Sequence, residues 1–506
     1  MGGDAIELKL RLDADGVARL KRQPFLADLK LGRPSTARLS SVYWDTPEMD
    51  LARAGVVLRV RAIGNRRVQT VKTAGRSRGA LFSRREWEWP VAGDSPDPAL
   101  LRSTRLEPFL DSGTAARLRP VFSTELKRTL YRLGTAAWAI DLALDQGEVG
   151  AGGAREPVCE AELELVKGRP AQLFALAGRI AEAVPARLLA LSKSDRGYQL
   201  ASGTPPLPVK STPTPVSSGM TVAEGFQAIA RNCLDQLLAN ERCLLATRDP
   251  EAIHQMRVAL RRLRSAIRIF RSAVAGPQLA HVKGDIAWLL GHLGPARDDY
   301  VFLAEIVEPV AAAHPETAPL ASLRADWLAQ HESALAAALA AVADRRFTAL
   351  MLGLAAWVET GDWLAAADRP ILARRIGPFA RRMLTRRDKK LREAGGADLT
   401  ALAPGDLHNV RILGKQLRYA GEFFAPLHAG KAASGFLAAL AALQDVLGQI
   451  NDIAVAEARL GGGQVDSARA WAAGLVAGWH AGRRPRLLGQ AKLAWKTYRK
   501  AARFWR

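Results

Sequence analysis

Apolar and polar residues follow two different periods in this chain, on either side of the run 201–218. Before that run, short segments alternate apolar and polar side chains with a period of two, which is the pattern of β-strands with unlike faces. After it, longer segments rich in Ala and Leu repeat their apolar positions with helical spacing. The alternation is clearest in 6–12, 56–61, 66–72, 84–89, 140–144 and 159–165, with helical segments expected near 97–118 and 170–185. Longer helices are predicted around 221–246, 251–275, 319–343, 373–393 and 437–460. A strand-rich domain should therefore precede an all-α domain.

The run 201–218 is rich in Pro, Ser and Thr and has no hydrophobic period, which is typical of a linker. It predicts a first domain over 4–202, a linker over 203–218 and a second domain over 219–506. A chain of 506 residues is long enough for two or three domains that each bury a core of their own.

The formal net charge of +22 favours an anionic partner: nucleic acid, an anionic membrane surface or a polyphosphate. The three cysteines have no Cys-x-x-Cys spacing, so they indicate neither a disulfide framework nor a zinc cluster. The sequence does not begin with a basic segment followed by an apolar one, and it contains no run of about 18 uncharged apolar residues. We therefore expect a cytoplasmic protein without a membrane span.

A basic stripe on one predicted helix recurs 154 residues later on another. Each copy places four side chains at offsets of zero, three, seven and ten, which is one face of an α-helix. The first copy consists of His254, Arg257, Arg261 and Arg264, and the second of His408, Arg411, Lys415 and Arg418. A Leu-Gly-x-x-(Arg or Asn)-Asp motif, expected to be a turn, follows at the same offset, over 293–298 and 447–452. The duplication therefore covers a whole helical unit and predicts two related bundles.

Cations aligned on one helix repel each other, so the stripes need a negative partner. Residues 254–271 contain no Asp or Glu, and the segment 374–387 adds six arginines. Asp298, Asp299 and Asp452 are expected to brace some of the stripe arginines. The aromatic residues near the stripes are better explained by core packing than by base stacking, which argues against a nucleic acid. They are Phe270, Tyr419, Phe423 and Phe424. One such histidine alone would be an ordinary surface or core residue, but two copies with the same basic neighbours suit an extended polyanion.

In the strand-rich domain, charged residues share one parity on several strands. Glu7, Lys9 and Arg11 alternate with apolar residues, and so do the three glutamates of 160–164. For a single strand, the simplest explanation is the solvated face of an ordinary sheet. Charges of both signs on many strands instead favour a closed or strongly curled sheet with a polar interior. There, carboxylates could hold Mg²⁺ or Mn²⁺ while Arg and Lys bind phosphate oxygens, as metal-assisted hydrolysis of a triphosphate requires.

In order along residues 4–202, these segments resemble the CYTH domain of the triphosphate tunnel metalloenzymes. The motifs that carry the resemblance are Ile6-Glu7-Leu8-Lys9, Tyr43-x-Asp45-Thr46-Pro47, Leu58-Arg59-Val60-Arg61, Thr70-Val71-Lys72, Arg84-x-Glu86-x-Glu88, Arg128, Asp145-x-Gly147, Glu160-x-Glu162-x-Glu164 and Ser192-Lys193. The resemblance implies an antiparallel β-barrel or tunnel with flanking helices, in which the phosphate ligands are Lys9, Arg59, Arg61, Lys72, Arg84, Arg128 and Lys193. It implies metal ligation by Glu7, Asp145, Glu160 and Glu162. The catalytic residues would be Glu7, Lys9 and Glu162, with Glu162 orienting the attacking water.

One position departs from that family. Its opening motif is Glu-x-Glu-x-Lys, and Ala5 replaces the first Glu. Asp4 is adjacent, but a shift of one residue turns a side chain to the opposite face of a strand, unless the strand has not begun or carries a bulge there. Ala5 therefore leaves open a protein that binds triphosphate without turning it over.

Residues 219–506 are similar to the CHAD domain, an α-helical domain that often follows CYTH. The similarity rests on the two His-x-x-Arg helices, both Leu-Gly motifs and Arg418-Tyr419-x-x-Glu422-Phe423-Phe424. It implies two four-helix bundles related by pseudo-two-fold symmetry. A basic groove or pore would bind inorganic polyphosphate through the eight stripe residues.

The sequence thus predicts an α+β multidomain protein that hydrolyses inorganic triphosphate with Mg²⁺ or Mn²⁺ and binds inorganic polyphosphate, in the cytoplasm or on polyphosphate granules. Three alternatives stay open. The protein could bind polyphosphate without catalysis, it could hydrolyse a nucleoside or thiamine triphosphate or cyclise ATP, or its helices could bind RNA.

Overall fold

The computed structural model describes residues 5–73, 76–78, 81–103, 112–365, 369–428, 430–461 and 466–506. They form two compact units. The sheet unit comprises Met1–Pro208, Leu238–Arg248 and Ala343–Gly361, and the helical unit comprises Val209–Leu237, Asp249–Val342 and Asp362–Arg506. An antiparallel sheet followed by many helices confirms the predicted α+β fold class.

The strands of the sheet unit belong to one antiparallel sheet. In chain order they are β1 (Ala5–Arg11), β2 (Ser35–Asp45), β3 (Val56–Ile63), β4 (Arg66–Thr73), β5 (Arg76–Arg78), β6 (Leu81–Arg84), β7 (Glu86–Val91), β8 (Arg119–Gly134), β9 (Ala139–Ala151), β10 (Ala154–Lys167) and β11 (Arg187–Leu188). Their spatial order is β5-β6-β1-β10-β9-β8-β2-β3-β4-β7, and β11 pairs with the end of β1 at Leu10 and Arg11, beyond the part that pairs with β6. Gly152 and Gly153, with φ of 55° and 87°, make the tight two-residue turn between β9 and β10 that glycine favours.

The sheet curls because one segment pairs with strands from opposite ends of this order. The segment 81–91, predicted as one strand over 84–89, is interrupted at Arg85. Its first half, β6, pairs with β1, and its second half, β7, pairs with β4. At the interruption, the Thr73 amide donates to the Arg85 carbonyl over 3.2 Å. The polar faces of β1, β4 and β7 are thereby turned toward a common interior.

Short helices accompany the sheet. They are α1 (Ala14–Leu20), α2 (Pro24–Leu29), α3 (Asp50–Arg53), α4 (Ser112–Ala116), α5 (Pro170–Ala183) and α6 (Lys193–Ser202). The helix expected over 97–118 is present only as a 3₁₀ turn at Pro98–Ser103 and as α4, and residues 104–111 lie outside the described part of the chain. The run 203–218 contains no helix or strand, yet Thr214 and Val216 are buried.

The remaining helices follow that run. They are α7 (Val222–Thr247), α8 (Pro250–Ile269), α9 (Gln278–Val301), α10 (Glu308–Ala313), α11 (Ala318–Ala343), α12 (Arg345–Thr360), α13 (Ile376–Gly395), α14 (Pro404–Phe424), α15 (Lys431–Leu460), α16 (Ser467–Ala481) and α17 (Arg484–Lys500). A π-helical stretch, Phe302–Val307, joins α9 to α10.

The helix starts reproduce the sequence duplication. α7 and α13 begin 154 residues apart, and so do α8 and α14, each of which has proline at its first position. The equivalent residues Phe270 and Phe424 meet each other, with ring centroids 6.1 Å apart. The Val222 amide donates to the Arg374 carbonyl and the Ile376 amide to the Met220 carbonyl, which are equivalent bonds in the two copies. A pseudo-two-fold relation between the copies follows.

The long helix α15 is apolar enough and long enough to cross a membrane, with a mean hydropathy of 1.3 over its most apolar window. It is the one helix of this kind among the described residues. Its side chains Phe436, Leu440, Leu443 and Leu447 are buried in the helical unit, where α15 packs against α14 and α17. Packing of these residues in the core accounts for part of this hydrophobicity, since 33% of the most apolar window is buried.

Candidate functional site

The curled sheet surrounds a cavity of about 650 Å³. Its lining comes from β1, β2, β3, β4, β7, β8, β10 and the start of α6. Among the predicted residues, it brings together Glu7, Lys9, Arg59, Arg61, Lys72, Arg128, Glu162 and Lys193. Arg84 lies on β6 opposite Ala5, and the side chains of both, like Asp4, fall outside the described part of the chain.

The register of β1 against β10 creates the acidic part of the cavity. Glu7 lies directly opposite Glu164, and Lys9 directly opposite Glu162. The Lys9 Nζ atom is 2.9 Å from Glu162 Oε1 and 3.2 Å from Glu7 Oε2. Burial raises the pKa of Glu164, and the charges of Glu7, Asp141 and Glu86 raise it further. Two facing carboxylates of this kind favour a cation between them.

Glu162 is surrounded by three cations. Its Oε1 accepts from Lys9 and Lys193, each at 2.9 Å, and its Oε2 accepts from Arg128 at 2.6 Å. Although burial opposes ionisation, Lys193, Lys9 and Arg128 hold the pKa of Glu162 well below its usual value. The carboxylate is therefore a fixed anion in the cavity wall, and part of its side chain stays accessible from the cavity.

Asp145 and Glu160 lie behind the cations and are fully buried. Asp145 accepts two bonds from Arg128, at 2.7 and 2.6 Å, and lies 2.9 Å from Lys193. Glu160 accepts from Lys193 at 2.6 Å and also pairs with Arg196. Neither carboxylate lines the cavity. In this arrangement both hold cations of the cavity in place, and metal ligation by either would displace a cation.

Sequence reasoning missed several residues of the site. Arg196, one turn after Lys193 on α6, is buried and links Glu160 to Glu156. Ser192, which caps α6, lines the cavity together with Ser194. The helix-capping sequence and the spacing of three between the two cations were signals that could have pointed to this face.

Tyr43 of β2 is a further residue of the site that the motifs did not reveal. It lies in the cavity wall, stacked on Phe122 with centroids 4.3 Å apart. Burial opposes its ionisation, but Arg59 and Arg61 lower its pKa overall. Its hydroxyl therefore belongs to the same electropositive surface.

A divalent ion fits only part of the predicted donor set. No group of three or more His, Cys, Asp and Glu suited to a metal occurs in the described ranges. Mg²⁺ and Mn²⁺ prefer oxygen donors, and Mg²⁺ is commonly held by one or two carboxylates together with substrate phosphates. Glu7 and Glu164 meet that requirement, because they face each other and the pKa of Glu164 is already raised by neighbouring acids.

The first basic stripe lies on α8. Arg257 is buried, and its guanidinium donates to Asp298 Oδ1 over 2.9 Å and to the Leu293 carbonyl over 3.2 Å. Burial lowers the pKa of His254, and Arg297 lowers it further. The predicted brace by Asp298 is confirmed, whereas Asp299 pairs with Arg459 outside the stripe.

The second stripe lies on α14. The exposed His408 has its Nδ1 2.7 Å from Asn451 Oδ1. Arg411 faces Asp452, and its buried Nε has no hydrogen-bond partner among the described residues. Arg418 is neutralised by Glu422 at 2.7 Å. The contact between the stripe arginine and an aspartate recurs in the second copy, where Arg411 faces Asp452, but the acid that pairs with Arg418 has no counterpart in the first copy.

The sequence had suggested that the Leu-Gly motifs are turns, and this prediction is wrong. Residues 293–298 lie inside α9, and 447–452 inside α15. A Cβ atom at Gly294 would lie 3.2 Å from the Arg257 guanidinium. The glycine therefore makes room for an arginine on the neighbouring helix, and packing rather than chain reversal explains it.

The two stripes meet. α8 contacts α14, and Arg261 of the first copy lowers the pKa of both Arg411 and Lys415 of the second. Burial, Arg411 and Arg261 together lower the pKa of Lys415 to about 8. Phe270, Phe423 and Phe424 are fully buried, which confirms their role in the core. The helical unit thus has one shared cluster of cations.

Comparisons with known proteins agree with this geometry. The CYTH domain family matches residues 4–198, and the CHAD domain family matches residues 228–461. The chain is 30% identical over 197 residues to an inorganic triphosphatase of Haemophilus influenzae, covering 39% of this chain and 55% of that protein. The chain thus spans about half the length of this curated relative.

Among solved structures, the CHAD domain from the plant Ricinus communis is 31% identical, with a TM-score of 0.51. The match covers 59% of this chain and 98% of that one. The protein accordingly consists of a CYTH domain followed by a CHAD domain.

Proposed function

We propose that the sheet cavity hydrolyses inorganic triphosphate with Mg²⁺ or Mn²⁺, and that the stripes bind inorganic polyphosphate. The observation that carries the first part is the convergence of six cationic side chains on one cavity that also contains two facing carboxylates. The six are Lys9, Arg59, Arg61, Lys72, Arg128 and Lys193. Triphosphate carries negative charge along its whole length, so fixed cations along a cavity stabilise both the substrate and the charge that develops during phosphoryl transfer.

In this reaction, a water oxygen attacks the terminal phosphorus, the P–O bond of the anhydride breaks, and pyrophosphate leaves with the bonding electrons. A divalent ion held by Glu7 and Glu164 would supply neutralising charge at the phosphoryl oxygens. Glu162 keeps Lys9, Arg128 and Lys193 in place. Because Glu162 also lines the cavity, it can orient the attacking water.

The test is orthophosphate release from triphosphate, with each metal and over a range of phosphate chain lengths. Arg128→Gln and Lys127→Gln form a matched pair, because the two residues are adjacent on β8 and Lys127 points outward to solvent. Loss of the cavity cation should lower kcat/KM about a hundredfold or more, while the outer substitution should leave it unchanged. Equal rates for both variants would contradict the proposed site. ATP and thiamine triphosphate serve as competing substrates.

One observation favours a second candidate, a protein that binds triphosphate without turnover. Ala5 stands on β1 at the same parity as Glu7, where the family motif places a carboxylate. Ala5→Glu would restore that carboxylate. If the natural chain is inert with both metals and the variant is active, hydrolysis is not the function of this protein.

Polyphosphate binding by the helical unit is supported by the shared cation cluster of Arg261, Arg411 and Lys415. Replacement of Arg261 and Arg411 by Gln should weaken the binding of long-chain polyphosphate. RNA and polyphosphate would both bind through their phosphates, and both lose affinity as the salt concentration rises. Salt dependence therefore does not distinguish them, whereas competition between the two at a fixed salt concentration does. Retention of the labelled protein by polyphosphate granules in the cytoplasm would extend the test to cells.

A further inference from the structure

The two stripes end differently. Fourteen residues after its histidine, α8 carries the exposed Arg268, which continues the same helix face by one turn. The equivalent residue of α14 is Glu422, which accepts from Arg418 Nε over 2.7 Å and so closes the second stripe with an acid. The cationic face therefore continues beyond the shared cluster only at the end of α8.

Arg268 leads to a second group of cations on α13. Burial, together with the charges of Arg386 and Arg268, lowers the pKa of Arg387 to about 10. The Arg387 guanidinium donates to the Met383 carbonyl over 3.2 Å. In the described ranges, none of these three arginines forms an ion pair with a carboxylate. A half-buried guanidinium between like charges is unfavourable unless an anion binds beside it.

The group of cations continues along the outer face of α13. Residues at spacings of three and four line an open groove of about 510 Å³, and they are Pro378, Arg381, Arg382, Thr385, Arg386 and Lys389. Two acids of α13 could offset this charge. Asp388 is turned inward, where it accepts from Tyr498, Arg392 and Arg503. Glu393 reaches only Lys389, at 3.7 Å, and both side chains are well exposed.

This face exists in one copy only. At the equivalent positions, α7 has Gln227, Ala228, Asn232 and Asp235 in place of Arg381, Arg382, Arg386 and Lys389. The duplication therefore has a strongly basic side and a nearly neutral one.

We propose that these cations form a second, one-sided binding surface, here named the α13 track, for the continuation of a long polyphosphate chain. The track consists of Arg264, Arg268, Arg381, Arg382, Arg386 and Arg387. The proposal rests on the proposed function of the stripes: a chain held by the shared cluster leaves it along α8 and continues across α13. Polyphosphate fits better than RNA, because the neighbouring rings of Phe379 and Trp505 are buried and cannot stack on bases.

The test uses the full chain and measures its affinity for long-chain polyphosphate over a range of salt concentrations. The triple variant Arg381→Gln, Arg382→Gln, Arg386→Gln removes exposed side chains and should fold normally, as thermal unfolding will check. The salt slope should fall by roughly 0.7 for each lost contact, as for single-stranded nucleic acids, and therefore by about 2 in total. Binding of tripolyphosphate, for which the proposed site is the sheet cavity, should not change. A matched control replaces the exposed cations Lys283, Arg345 and Arg486 by Gln.

The outcomes separate the two proposals. If Arg261→Gln with Arg411→Gln weakens binding and the track variant behaves like the control, the track is overturned while the stripes stand. If neither set of substitutions weakens binding, the stripes and the track are both overturned as the polyphosphate site. If the track variant loses affinity for RNA and keeps its affinity for polyphosphate, the surface serves a nucleic acid and this inference fails.

Discussion

The sheet cavity and the helical stripes both collect cations, but they hold them in opposite ways. In the cavity, buried carboxylates stand behind the cations: Lys193 alone contacts Asp145, Glu160 and Glu162. In the cluster between the stripes, Lys415 is surrounded mainly by other cations, and its pKa falls to about 8. The cations of the cavity are therefore held in position before any ligand binds. The cations of the stripes instead repel one another, and a bound polyanion would relieve that repulsion.

Removal of Lys193 should have the largest effect. Lys193→Met would leave the buried Asp145 and Glu160 and the partly buried Glu162 without their shared cation, so the free energy of unfolding should drop by about 3–5 kcal/mol. Urea denaturation of the sheet unit measures the change, with the exposed Lys127→Met on the same unit as a control. A loss below about 1 kcal/mol would mean that the acids do not depend on this cation.

Among the described cations of the cavity, Arg61 is the one without an ion pair to a carboxylate. Its guanidinium donates to Ser41 Oγ over 3.1 Å, and burial together with Arg59 lowers its pKa to about 10. Arg61→Met should therefore leave stability nearly unchanged. It should still lower kcat/KM for triphosphate about tenfold to a hundredfold, as expected for one lost charged hydrogen bond. A large loss of stability with an unchanged kcat/KM would mean that Arg61 supports the fold and not the reaction.

The equivalent residues Arg257 and Arg411 test the comparison within the helical unit. Arg257→Gln breaks the bonds to Asp298 and the Leu293 carbonyl, so it should destabilise the protein by about 1–3 kcal/mol. Arg411→Gln removes a cation whose Nε lacks a hydrogen-bond partner among the described residues, so its effect should be near zero or slightly stabilising. Thermal unfolding of both variants without ligand measures the difference, and equal losses would contradict it.

The smallest effect concerns pH. The pKa of Lys415 is lowered from 10.5 to about 8 in the folded chain, so between these values the unfolded chain binds more protons. Stability should rise with pH through this window. Polyphosphate favours the charged amine, so affinity should fall as pH rises through 8, by at most about tenfold per unit for one proton. Titrations at pH 7 and 9 should show this loss in the natural chain and not in Lys415→Arg.

Much of the cavity could be predicted because strand parity decides which face a side chain occupies. Glu7, Lys9 and Glu162 met as expected, since β1 and β10 pair with their charged positions opposite each other. Parity does not give depth within the cavity, which is why Asp145 and Glu160 lie behind the cations rather than in the wall. Arg196 was missed because α6 covers this end of the sheet from a distant part of the sequence.

In the helical unit, the repeat could be predicted because every position recurs at one offset. The helical conformation of the Leu-Gly segments could not be predicted. Glycine is a weak helix former, and only the packing of Arg257 beside Gly294 shows why a helix accepts it there. The burial of Thr214 and Val216 was likewise hidden, because a run rich in proline has no apolar period.

The reciprocal bonds of Val222 with Arg374 and of Ile376 with Met220 have the form of a contact between two identical subunits. In a homodimer, every substitution would appear on both sides, and neither end of the cation cluster could differ from the other. Fusion of the halves into one polypeptide removes that constraint. Each half can then diverge alone, as Arg268 and Glu422 have done, and the cationic surface can be extended on one side of the molecule without being repeated on the other.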